Sequence, residues 1–419
     1  MDAYSICEEC ESILGGIAIL GVSESAVRNY CRTWPAVFDR AEGSWLTDED
    51  GNRYLDFFAG AGGVNYGHNN PAFKGELVDY LTGNRIVHSL DMGTVAKREL
   101  LAALDRYLLG PRGLDYRVQF TGPTGAATVE AALELARKVT GRHLVLGFRD
   151  SFHGMSLGAM GVSDNSISRS AHGVAPHRQT PLVHGELSGL AEVFAERRPA
   201  AVIVETVQGE GGVHVGSAAW LRGLSALCRE HGVLLIVDDI QVGCGRTGPF
   251  FSFETSGDGG PGVVPDLVCL SKSLSGYGLP LALTLIRADL DIWSPGEHSG
   301  TFRGHNLAFV TAAKALETYW ADDALEKDTL AKGELVRGRL AELAAGTPWE
   351  VRGAGLINGL VLPTGEQARA VCAAAFARGL LVETAGDRGR VVKLMPPLTT
   401  TTDELEQGLG LLAASCAAA

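Results

Sequence analysis

The sequence predicts an α/β protein: a large domain on a mostly parallel sheet covered by helices, and a smaller α+β domain from both chain ends. Short, wholly apolar stretches without alternation recur through the middle of the chain, and helical spacings lie between them. Strands buried on both faces read as such continuous runs, and strands alternating with helices pair in parallel. Past about residue 315 the pattern changes to two long helices and a shorter mixed segment. The length of 419 residues suits two to three domains at roughly one per 150 residues.

Residues 1–22 read as an appendage ahead of the fold. The apolar run 13–22 is too short to span a membrane, and Glu8, Glu9 and Glu11 stand where a signal peptide carries basic residues. A short helix is expected at 24–32, then strands near 37–40 and 44–47, with the Asp50-Gly51 turn closing a hairpin onto 54–58. Apolar strands follow at 117–120, 143–148, 201–205, 233–237, 267–270 and 282–286. Helical patterns separate them, among them 128–138, with Ala132, Leu135 and Ala136 on one face, and 218–231. Residues 258–264 form a Gly/Pro loop. Long helices are expected at 307–320 and 324–345, and strands near 356–362, 380–383 and 391–395. The expected division is 65–315 for the large domain and 23–64 with 316–419 for the small one.

Composition narrows the function. Hydrophobic residues make up 46% and charged residues 20%, which excludes disordered and fibrous classes. A net charge of −13 repels phosphate backbones and argues against nucleic acid as a partner. The 8 cysteines are scattered, mostly in apolar runs, and read as reduced core residues of a cytoplasmic protein. Cys7 and Cys10 form a lone C-x-x-C without a second pair at metal-ligand spacing, so no metal site is expected.

In parallel sheets ligands bind beyond the carboxyl ends of the strands, and three such ends here are unusual. The run 233–237 ends in Asp238-Asp239, a carboxylate pair at the end of a buried strand. It serves either as a charge partner for a bound cation or as a cap for the next turn. The run 267–270 leads to Lys272, the one lysine that follows a buried strand into a loop of small residues. The other seven (Lys74, Lys97, Lys138, Lys314, Lys327, Lys332, Lys393) read mostly as polar helical or rim residues. A desolvated lysine forms a Schiff base with a carbonyl cofactor, whereas a solvated loop lysine does nothing of the kind. Thr121–Thr128 opens a helix with glycines and free N–H groups, which suits a phosphate as well as an ordinary cap. Together these parts are what a pyridoxal-phosphate site requires.

Asp238–Gly248, DDIQVGCGRTG, resembles the signature of the class III aminotransferases, with Lys272 following one βα unit later and Glu205–Gly212, ETVQGEGG, matching a second family turn. The resemblance runs from about Ser23 to the C-terminus. The blocks 57–62, 65–71, 118–125, 270–280 and 295–304 resemble more narrowly the diaminobutyrate–2-oxoglutarate branch, which acts in ectoine formation.

The resemblance implies a pyridoxal 5′-phosphate enzyme of fold type I, an ω-aminotransferase working as a homodimer or larger assembly. By it, Lys272 holds the cofactor and shuttles the proton, Asp238 pairs with the pyridine nitrogen, and Gln241 lies near the phenolic oxygen. Phe152 stacks on the ring, and Gly125 and Ala126 donate N–H groups to the phosphate, which Thr301 reaches from a neighbouring subunit. Lys393 takes the place of an arginine that binds the 2-oxoglutarate carboxylate, with Glu210 as its gate partner. A lysine there is a point charge rather than a fork. Ala126-Ala127 replaces a family hydroxyl-acid pair, and Ala61 an aromatic residue of ornithine-type relatives. A pyridoxal-phosphate aminomutase or racemase is the alternative on the same fold. The leading expectation is an amino group moved between glutamate or 2-oxoglutarate and a small diamino acid or its semialdehyde, 2,4-diaminobutyrate and aspartate 4-semialdehyde.

Overall fold

A computed structural model describes residues 24–164, 173, 182–254 and 262–419. The appendage expected at 1–22, with Cys7 and Cys10, lies outside the described residues, as does most of the 258–264 loop.

The central sheet has 6 strands in the order Tyr116–Phe120, Leu283–Arg287, Leu267–Leu270, Leu234–Asp238, Ala201–Val204, Val145–Leu146. Alternate residues of its inner strands go to different cores. Val202, Val204, Leu235, Val237, Val268 and Leu270 join one; Ala201, Ile203, Leu234, Ile236, Leu267 and Cys269 join another. Because successive side chains point to opposite faces, this partition means the sheet is buried on both sides, hence the unbroken apolar runs.

Leu283–Arg287 alone runs antiparallel to both its neighbours. Its sequence is as apolar as the rest, so composition does not reveal its direction. The cause is the connection: between Leu270 and Leu283 the chain holds only the short 3-10 helix Lys272–Ser275 and no crossover helix. A parallel return needs such a crossover. The chain doubles back instead, leaving Lys272 in the loop at the carboxyl edge.

The expected helix at 128–138 spans Gly125–Thr140, because the Thr124 side chain caps it by accepting from Ala127 N at 3.3 Å. The expected helix at 24–32 shrinks to Tyr30–Thr33, with Trp34 leaving helical geometry ahead of Pro35. The expected strand 143–148 joins the central sheet only over Val145–Leu146, and Phe148 forms a separate bridge with Leu182.

Two further four-stranded sheets are built from the flanking parts of the chain, the first from both ends and the second from the C-terminal end. Phe38–Glu42, Trp45–Asp48 and Arg53–Asp56 form an antiparallel meander that Leu380–Leu381 extends in parallel. Glu350–Ala354, Ile357–Val361, Val391–Leu394 and Glu383–Ala385 form an antiparallel sheet. The single strand expected at 380–383 is thus split at Val382 between two sheets.

Arg246, within the DDIQVGCGRTG stretch, is fully buried and ties these parts together. Its guanidinium donates to Leu356 O, Pro396 O and Asn65 Oδ1. Lysine has one ammonium where arginine has a fork, so Arg246→Lys leaves at least one buried acceptor unpaired, costing about 1–3 kcal/mol. The urea midpoint should fall with an unchanged m value.

Candidate active site

The carboxyl ends of Ala201–Val204, Leu234–Asp238 and Leu267–Leu270 face one cavity, whose walls include Gly125, Ala126, Phe152, Glu205, Asp238 and Lys272. His153, Glu210 and Gln241 also line it.

Lys272 sits just past its strand with φ at 50°, a left-handed backbone uncommon for a side chain-bearing residue. Strain of this kind, held by surrounding structure, concentrates at functional positions. Its Nζ donates to Ala61 O at 2.9 Å. Burial, and then the nearby Lys393, lower its pKa, against the pull of Glu210. A larger share of neutral amine follows, able to act as nucleophile or base.

Asp238 ends its strand buried, accepting from His153 Nδ1 at 2.7 Å through Oδ2 and from Ile240 N at 3.1 Å through Oδ1. The neighbouring Asp239 turns away from the cavity. It accepts from Ser252 N at 3.0 Å, and burial pushes its carboxyl up to about 7. Tertiary packing therefore distinguishes two carboxylates that the sequence presents side by side.

Phe152 lines the cavity, and its backbone N–H donates to Glu205 Oε2 at 3.1 Å. Burial pushes Glu205 well above the usual carboxylate range, and Asp238 adds to the rise. Gly125 and Ala126 form the first turn of Gly125–Thr140, whose N–H groups have no acceptor within the helix. A Cβ on Gly125 would stand 3.1 Å from Ile240, so the glycine permits close approach there.

Gln241 Nε2 donates to Ala61 O at 3.1 Å and Glu210 Oε1 at 2.9 Å. Its buried Oε1 has no partner among the described residues, nor has His153 Nε2. These two orphaned atoms and the open helix terminus suit a polar, anionic heterocycle that brings its own hydrogen-bonding groups.

Lys393 departs from the rim setting expected of most lysines: it lies on a strand, 1% exposed. Two carboxylates make this tenable, Glu210 Oε1 at 2.7 Å and Glu383 Oε1 at 3.0 Å. Thr301 stands apart from the cavity on the surface, its carbonyl accepting from His88 Nε2 at 3.0 Å.

Sequence reasoning missed His153, Glu205 and Glu383. The first two lie within stretches already singled out, and adjacency to Phe152 and the ETVQGEGG start was their signal. Glu383 had none, since its pairing with Lys393 depends on strand register.

The family model of class III aminotransferases matches residues 27–415. A diaminobutyrate–2-oxoglutarate transaminase of Nocardia farcinica is 56% identical over 93% of this chain and 91% of its own length. One of Streptomyces anulatus is 54% identical over 95% and 97%. Among solved structures, the ornithine aminotransferase of Toxoplasma gondii superposes with a TM-score of 0.84 at 28% identity, covering 96% of this chain and 94% of that one. That enzyme has also been crystallised with pyridoxal phosphate partly occupying its active site. An aminotransferase of Bacillus anthracis, 22% identical with a TM-score of 0.85 over 99% of this chain and 100% of that one, shares the fold.

Proposed function

The chain belongs to the class III aminotransferases, a pyridoxal-phosphate-dependent family, and from that premise we propose that it is a pyridoxal 5′-phosphate enzyme exchanging an amino group between 2,4-diaminobutyrate and 2-oxoglutarate. The products are aspartate 4-semialdehyde and glutamate, and the exchange runs in either direction. One observation carries the reading: a half-buried lysine and a buried carboxylate line a single cavity that also reaches a helix N-terminus.

Lys272 would hold the cofactor's aldehyde carbon, Asp238 its ring nitrogen, Phe152 a ring face, Gln241 its phenolic oxygen, and the Gly125 and Ala126 N–H groups its phosphate. When bound, pyridoxal phosphate supplies a carbonyl that condenses with amines and a ring that accepts the electron pair released at the reacting carbon. Lys272, its amine made less basic by burial, takes the proton from the substrate carbon and returns it. Asp238 offers only acceptor oxygens, which favours a protonated ring nitrogen, and His153 fixes their direction. Lys393 and Glu210 set the charge against which a substrate carboxylate docks.

Purified protein given 2,4-diaminobutyrate and 2-oxoglutarate should form glutamate. Turnover of either amino acid without the keto acid would point to an isomerase instead. The cytoplasm is the compartment we propose, on the sequence argument from its cysteines.

We also propose a shared site in a homodimer. Thr301 is followed by exposed Phe302, at 60%, and His88, which bonds its carbonyl, belongs to a segment carrying exposed Ile86 at 55% and Met92 at 59%, which supports a covered face there. If its hydroxyl binds the partner's cofactor phosphate, Thr301→Ala should weaken cofactor retention and subunit association together. A fully active monomer in sedimentation would overturn this arrangement.

A further inference from the structure

Lys393 holds two carboxylates of different standing. Glu210 lines the cavity and shares its Oε1 with Gln241, so it is the one an incoming carboxylate meets. Glu383 lies behind. It is 6% exposed, and on the antiparallel strand pair it stands directly opposite Lys393. We propose that Glu383 is a positioning residue that makes the capture of a substrate carboxylate by Lys393 proton-linked. The inference rests on the reading of Lys393 as the docking cation.

The physical argument is one of charge. An ammonium against one buried carboxylate is already a neutral pair, and a second negative group gains little from it. When a substrate carboxylate displaces Glu210, the Lys393 ammonium keeps Glu383 at its back. If Glu383 stays ionised, the arriving carboxylate adds net negative charge to a desolvated cluster, which is costly. If Glu383 takes up a proton, Lys393 faces the substrate with its charge uncompensated.

The charged and titratable groups acting on Glu383 are Lys393, Glu210 and Lys272, with the phenol of Tyr30 and the thiol of Cys372 also feeling its charge. Burial, opposed by Lys393, holds its carboxyl above the ordinary range even before a ligand arrives. The sign follows. A bound carboxylate raises Glu383 further, so binding is tightest below its ligand-free pKa and weakens as pH rises between the free and bound values.

The probe is glutarate, an unreactive five-carbon dicarboxylate, titrated into holoenzyme by calorimetry, which requires no turnover. Over the pH range in which the holoenzyme stays folded, the wild-type dissociation constant should rise with pH once the ligand-free pKa of Glu383 is passed, by at most about tenfold per pH unit. Glu383→Gln, which keeps an acceptor for Lys393 but cannot ionise, should flatten that slope. It should also move the 2-oxoglutarate KM more than kcat. A flat wild-type profile, or an undiminished slope in Glu383→Gln, overturns the proposal. Should the variant not fold, wild-type heats in phosphate and Tris decide: proton uptake on glutarate binding is expected, and none refutes it. Absence of transamination with 2-oxoglutarate would instead count against the proposed reaction.

Discussion

Lys272→Ala should abolish transamination, by at least about 10⁴-fold, while the protein stays folded. In the proposed mechanism lysine is needed twice, as the amine that attaches the cofactor and as the base at the substrate carbon. No second lysine can stand in. Lys393 also lies near, but it is fixed between Glu210 and Glu383, which hold it protonated. The fold should survive because, among the described residues, the Lys272 side chain makes a single hydrogen bond, to Ala61 O, and its burial disfavours its own charge. Borohydride treatment of wild-type holoenzyme should fix the cofactor on the peptide containing Lys272. Labelling of any other lysine would remove the assignment.

Asp238→Asn should retain the cofactor and cut turnover by about a hundredfold to a thousandfold. The amide keeps the size and one carbonyl acceptor for His153 Nδ1 or Ile240 N, so packing at the strand end changes little. It removes the charge that favours a protonated ring nitrogen, and with it the ring's capacity to accept electrons. Single-turnover rates and the absorbance of bound cofactor separate these effects from binding. Turnover near wild type would transfer the role elsewhere, although Asp239 is held by Ser252 on the far side of the strand end.

Much of the architecture was legible because it rests on local rules. Strand 267–270 was found to the residue, and 201–205 and 233–237 within a residue at either end, since strands buried on both faces can hold only apolar side chains. Helix 218–231 was equally readable from its spacing and Ser217 cap. The direction of Leu283–Arg287 and the division of 380–383 between two sheets were not, because pairing partners lie far away in sequence.

The same division runs through the site. By itself the sequence determined the family and singled out a lysine and a carboxylate pair past the strand ends as candidates, since motif residues are chosen for chemistry and keep their spacing. Only the tertiary structure decided which aspartate faces the cavity, that His153 braces it, and that Lys393 is buried between two glutamates. Those facts depend on desolvation and strand register. Whether a buried charge can persist is set by the groups that distant segments bring to it, and no local pattern records them.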